Sequence, residues 1–400
     1  MMIRPLLRAP LCVFLFALAP TISQAQTSLT WDSIQAQARG QTVYFNAWGG
    51  SDAINRYIEW AADQVEEQAG VDVELVKITD ASAVVTRIAT EVNAGNTDKG
   101  SVDLIWVNGE NFKRLKQEDL LAEPWAADLP NATLVDYKLP VTTDFSIPTD
   151  GQESPWGGAQ LTLIYHPERL QRLPENAAEF LTLAEENPGM LAYPRVPDFH
   201  ATSFLKQLLL DLSDEDPALY QPVTPEAFER VSASLWSYLD RLHPLLWREA
   251  KAFPQGIAQM HSLFADGALL MSLSFNPNDA ANLVRTGTFP EGVRSFGFSR
   301  GMLGNIHFVA IPRNAQAKAG AKVFANFLLS PEAQLRKADL NVWGDPSVLD
   351  PSKLEGPRRM QLISRDAAAL PADTPWIAEP HASWVEPLEQ AWLERYGDGR

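Results

Sequence analysis

The sequence predicts an α/β protein whose main sheet is parallel and covered by helices on both faces. Three observations carry this. Strand and helix patterns alternate from residue 42 onward. The third strand pattern, "VDLIWVNG", is nearly continuously apolar, as a strand buried on both faces should be. The chain, 400 residues long, is too long for one core, so roughly two domains are expected.

The elements follow in order. "TVYFNAW" is rich in β-formers and ends at two glycines. A helix starts at once, with Ile54, Tyr57, Ile58, Ala61, Ala62 and Val65 on one face. Ser51 is its N-cap, and Asp52 sits where the helix dipole favours an acid. "VDVELVKI" alternates and is the second strand. "ASAVVTRIATEVNAG" is helical and stops at Gly95. "NFKRLKQEDLL" is a short helix after the third strand. Residues 122–157 turn rich in Pro, Asp and Thr, and "SPWGGAQLTLIYHPERL" then reads as a long strand-like crossing. Residues 175–270 are mostly helical. "DGALLMSLSF", "VRSFGF" and "GNIHFVAIP" are strands, followed by the helix "QAKAGAKVFANFLL". Ser330 as N-cap and Pro331 at the first helical position restart a helix.

The first residues stand apart from the fold. Arg4 and Arg8 precede the apolar stretch Leu11 to Ala19, and small residues follow at Ser23 and Ala25. This is the pattern of a secretory signal peptide, residues 1–25, cut after Ala25. The single cysteine, Cys12, lies inside that stretch, so the exported chain is expected to rely on its core without disulfides. The net charge of −17 becomes about −19 once Arg4 and Arg8 are removed. Such a surface repels nucleic acid and anionic lipid. No later apolar run reaches the ~20 residues of a spanning helix.

In a parallel sheet, ligands bind beyond the carboxyl ends of the strands. The loops there are "NAWGGS" and "VNGEN". Gly49, Gly50 and Ser51 offer free backbone N–H groups at a helix start, and Asn108, Glu110 and Asn111 repeat the arrangement two strands later. Trp48 and Trp156 each precede a Gly-Gly pair, and aromatic faces attract cations within ~6 Å. Trp106, in mid-strand, reads as core filler. "PDFHATSF" supplies Asp198, Thr202 and Ser203 at another helix start. "SFNPNDA" supplies Asn276 and Asn278, as donors to a ligand or as parts of an Asx turn. Glu110 and Asp198 are the carboxylates best placed to meet a cation.

Catalytic and cofactor motifs are weak by comparison. "GFSRG" fits the Gly-x-Ser-x-Gly elbow around Ser299, which needs a strand before it and a helix after it. A glycine-broken, strand-like stretch follows instead, and nothing positions His307 or His381. A secreted serine hydrolase is the rival reading from another class. The six histidines show no metal-binding spacing, and no phosphate- or dinucleotide-binding glycine pattern occurs. Neither a metal nor a cofactor is expected.

The pieces "TVYFNAWGGSDAINRYIEW", "VDLIWVNGENFKRL", "SPWGGAQLTLIYHPERL" and "VAIPRNAQAKAGAKVFANFLLSPEAQ" resemble the periplasmic solute-binding components of ABC importers. The resemblance is to the branch with thiamine, polyamine and iron(III) binders, within it the YnjB-type group. It covers nearly all of the chain beyond the leader, and the last piece is the most specific. It implies a type II two-lobe fold: each lobe a mainly parallel sheet flanked by helices, with the ligand in a cleft between them. The crossings place residues 26–155 and 276–330 in lobe one, and 156–275 and 331–400 in lobe two. It also implies a periplasmic location, a small-molecule ligand, permease subunits in the inner membrane as partners, a monomer and no catalysis. Aromatic loops, acidic balance and family branch together favour a small organic cation, thiamine-like or polyamine-like. Helix N-termini favour an anion instead. Iron(III) binders of this branch present a tyrosine pair, and "SRGMLGNIHF" has none.

Overall fold

The computed structural model describes residues 30–363 and 366–397. The leader and its cleavage point lie outside the described residues. Among the described residues, no helix is long and apolar enough to cross a membrane.

Eleven strands are described: β1 Thr42–Trp48, β2 Asp72–Ile78, β3 Leu104–Val107, β4 Thr143–Asp144, β5 Ile147–Pro148, β6 Glu153–Gln160, β7 Thr162–Tyr165, β8 Met271–Ser274, β9 Arg294–Phe296, β10 Met302–Ala310 and β11 Trp376–Ala378. A six-stranded sheet runs β2-β1-β3-β10-β11, with β6 paired to β10. β1 is parallel to β2 and β3, as the alternating pattern requires. β10 is antiparallel to both β3 and β6, so the sheet is mixed. Helices cover both faces. Ile54, Tyr57, Ile58, Ala61 and Phe324 pack on one, and Val84, Val85, Ile88, Phe112 and Leu115 on the other.

A second sheet runs β8-β7-β9. It is antiparallel throughout, where a mainly parallel sheet was expected. Strand periodicity fixes which residues face the core but not strand direction. Here the helix Ile257–Ala265 ends at Asp266 and Gly267, and the chain turns back alongside β7. The helices around this sheet supply most of its core, including Phe204, Leu208, Leu235 and Leu239.

The two cores divide the chain at points other than the expected crossings. Ala280, Phe289, Val293, Phe296 and Phe298 pack with β7 and β8 rather than with the first sheet. Ala333, Trp343 and Val348 pack with the first sheet, while Trp384, Leu388 and Trp392 return to the second. The strand "VRSF" pairs with β7, and Met302 and Leu303 at the start of β10 still pack in the second core, so the chain returns to the first core only at Ile306. A strand pattern does not name its partner.

Candidate functional site

β1 delivers Trp48 to the edge of the first sheet with 39% of its surface exposed. The two glycines after it are shaped to their neighbours. A Cβ on Gly50 would overlap the Trp48 ring, and one on Gly49 would come within 2.7 Å of Lys77 Cβ. Ser51 accepts from the N–H of Ile54 and caps the helix Asp52–Ala69. β3 delivers Asn108, Gly109, Glu110 and Asn111. Gly109 has φ +66, and its N–H donates to Asp144 Oδ2 at 2.8 Å. Asn111 Nδ2 donates to Glu110 Oε1 at 3.0 Å.

The helix Phe199–Leu212 brings groups from the second core. Asp198 caps it, accepting from the N–H groups of His200 and Ala201. Burial works to raise the Asp198 carboxyl, but bonding to His200 and Ala201 outweighs it and holds the group below its ordinary range. Thr202 Oγ1 donates to Glu389 Oε1 at 2.6 Å. One helical turn on, Lys206 Nζ lies 2.6 Å from Glu379 Oε2 and 4.4 Å from the centre of the Phe145 ring. Asn305 Nδ2 completes this group by donating to Glu379 Oε1 at 3.3 Å.

Glu110, Asp144, Glu379 and Glu389 thus share one neighbourhood with one ammonium, that of Lys206. Burial is the main force raising all four carboxyls. The Glu110 charge raises the other three further, Asp80 raises Glu110, and Lys206 opposes the rise in all four. Glu110 keeps an exposed face despite its close neighbours. Among the described residues, no three acidic, histidine or cysteine side chains are placed to hold a metal ion.

Other expected site residues lie elsewhere. Trp156 is not at a strand end. It sits in mid-β6, fully buried, with Trp106 at 5.0 Å, Trp343 at 5.4 Å and Tyr57 at 6.4 Å between ring centres. Trp106 packs against this cluster as expected. Below it, Lys337 and Asp345 form a buried ion pair, and His307 Nε2 lies 3.1 Å from Asp345 Oδ1. A Cβ on Gly157 would overlap that pair, which explains the glycine after Trp156. Asn276 and Asn278 direct their side-chain amides to the carbonyls of Trp343 and Gly344, at 3.4 and 2.6 Å. Ser203 is fully buried. Ser299 donates from both N and Oγ to the carbonyl of Glu175. Of the two downstream histidines, His307 is engaged with Asp345 and His381 with Ser383. The open surface depression of about 340 Å³ beside His166, Arg169 and Asp266 involves none of these residues.

Lys206, Glu379 and Glu389 were not singled out from the sequence. Lys206 left a trace: a lone cation within "SFLKQLLLDL", on a helix otherwise apolar enough to be buried.

The comparisons with known proteins agree with this architecture. The pattern of the family described as bacterial extracellular solute-binding protein matches residues 60–357. Protein YnjB of Escherichia coli K12 is 51% identical over 386 residues, covering 96% of this chain and 99% of YnjB. Three solved structures share the fold at low identity. The periplasmic binding protein AfuA of Actinobacillus pleuropneumoniae, with fructose-6-phosphate bound, aligns with TM-score 0.61 at 15% identity, covering 89% of this chain and 99% of AfuA. The spermidine/putrescine substrate-binding protein PotD of Streptococcus pneumoniae aligns with TM-score 0.61 at 16%, covering 90% and 100%. The apo ferric ion-binding protein A of Pasteurella haemolytica aligns with TM-score 0.62 at 14%, covering 90% and 98%. The two cores are therefore the two lobes of a type II binding-protein fold.

Proposed function

This chain belongs to the family of bacterial extracellular solute-binding proteins, and on that premise we propose that it captures a small organic cation, thiamine-like or polyamine-like, for an ABC importer. It acts in the periplasm as a monomer, its leader cut after Ala25. It carries out no chemistry, and it hands the solute to permease subunits in the inner membrane.

One arrangement carries the choice of a cation: the Lys206 ammonium is paired with Glu379 at 2.6 Å, while Glu110, Asp144 and Glu389, raised like Glu379, share its neighbourhood. Like charges this close resist ionising together, and a second cation relieves them. In this reading Glu110 meets the solute from the first lobe, and Thr202 and Glu389 from the second. Asp198, Asn108 and Asn111 flank it. Trp48 supplies an exposed aromatic face beside Gly49, Gly50 and Ser51.

The test is native mass spectrometry of protein from its own envelope, followed by calorimetric titration with thiamine, putrescine and spermidine. A retained cationic solute, and binding of at least one of the three, are expected. Glu110→Gln should weaken that binding by about 1.5–3 kcal/mol, the range of a hydrogen bond to a charged group. Binding of a sugar phosphate or ferric ion, with none of the cations, would overturn the reading.

A further inference from the structure

We propose that the hairpin β4–β5 is a latch that fastens the first lobe to the second and must let go when the lobes part. Its base belongs to the first lobe. Asp144 holds the N–H of Gly109, beside Glu110, and Lys116 Nζ donates to the carbonyl of Pro148. Val141, just before the hairpin, is buried in the first core.

Its tip belongs to the second lobe by contact. The Phe145 ring packs on Ala382 and Val385, and Lys206 Nζ lies 4.4 Å over its centre. The carbonyl of Phe145 accepts from the N–H of Ala382 at 3.0 Å. Ser146 Oγ donates to the carbonyl of Glu379 at 2.9 Å. These partners lead directly into Trp384 and Leu388 of the second core.

The turn itself is held under strain. Strand pairing leaves Phe145 and Ser146 as its two central residues, with φ +41 and +62. Both central positions of such a turn require positive φ, which Asn-Gly supplies at little penalty. A phenylalanine there is a steric outlier, kept in place only when its surroundings over-determine it. Those surroundings are Ala382, Val385 and Lys206 of the second lobe, with Gly109 of the first against another side of the ring. Without them, the turn has easier conformations available. Strain at the tip, with the Phe145 carbonyl, the Ser146 hydroxyl and one side of the Phe145 ring all held across the lobes, is the arrangement of a catch rather than of a passive loop.

This inference rests on the two-lobe fold and not on the identity of the solute. Spin labels on Glu67→Cys and Glu229→Cys, exposed positions on the first and second lobes, in a Cys12→Ser background, report the interlobe distance by pulsed electron resonance. Phe145→Ala should shift the population toward longer distances. Val385→Ala removes the same contact from the other side, leaves a small cavity, and should shift it the same way. Melting curves establish that each variant is folded. A folded variant of either kind with the unchanged distribution overturns the proposal. If Phe145→Ala fails to fold, Val385→Ala decides alone. Absence of any binding by the wild type to thiamine, putrescine or spermidine would count against the solute reading and leave this result standing.

Discussion

Thr202 Oγ1 and Glu389 Oε1 meet at 2.6 Å, although 187 residues separate them in the chain. The bond ties the helix Phe199–Leu212 to the last helix, Val385–Tyr396, and aims a carboxylate at the neighbourhood of Glu110. Burial raises the Glu389 carboxyl first, and the Glu110 charge raises it further. A bound cation favours the ionised form, so binding should expel protons and tighten as pH rises through the range where these carboxyls ionise. Titration calorimetry in two buffers of different ionisation enthalpy should give different apparent enthalpies for the wild type. The difference should shrink in Glu389→Gln. Equal enthalpies in both buffers would show that no proton is exchanged.

Trp48 and Trp156 should respond in opposite ways to truncation. Trp156→Ala empties the centre of an aromatic cluster and should reduce stability by roughly 3–5 kcal/mol. Trp48→Ala removes a ring already 39% exposed, and should change stability by less than about 1 kcal/mol. If Trp48 stacks on the solute, its loss should weaken binding by about 1–3 kcal/mol. Melting curves and titrations on the same two variants separate the roles, and unchanged affinity in folded Trp48→Ala removes it from the site.

The Lys337–Asp345 pair is fully buried beneath Trp343. Burial pushes the ammonium of Lys337 below its ordinary value, and Asp345 opposes that push. Asp345→Ala leaves the ammonium without its counter-ion and should cost roughly 3–5 kcal/mol. Denaturant unfolding measures the loss. The double change Asp345→Ala with Lys337→Met should recover a large part of it.

Glu153 gives a stability profile with a definite sign. Burial is the main reason its carboxyl is raised well above the ordinary range. Asp144 raises it further, and Lys116 opposes both. Neither of its oxygens has a hydrogen-bond partner. The folded state therefore holds a proton that the unfolded state releases above pH ~4.3. Stability is full below that pH and falls as pH climbs toward the folded-state value. Glu153→Gln carries no such proton. It should flatten this part of the profile and raise the melting temperature at neutral pH relative to the wild type. A steeper decline in the variant would contradict the assignment.

Much of the first lobe was legible because its strands and helices are local patterns. The run "TVYFNAW", the Ser51 cap and the Gly109 turn all act within a few residues. The second lobe was less so. β7 to β9 are three or four residues each, and their partners lie more than a hundred residues apart. Trp156 was misplaced because "WGG" looks like a loop, whereas Gly157 clears room inside a sheet for Asp345 and Lys337. Asn276 and Asn278 had the right chemistry to donate, but the carbonyls they serve arrive from residues 343 and 344. Glu379 and Glu389 stand more than 170 residues from the Lys206 and Thr202 they contact, and no spacing rule reaches that far.

The exchange of segments between the cores bears on how the chain is made. The first core is not complete until Trp343 and Val348 arrive, and the second waits for Trp384, Leu388 and Trp392. Neither lobe is a contiguous stretch that an emerging N-terminal portion could finish alone. Synthesis from the N-terminus therefore holds both lobes incomplete until nearly the whole sequence is available. Truncations short of the last helix should yield no autonomous half, and the chain stays threadable until its final residues are supplied.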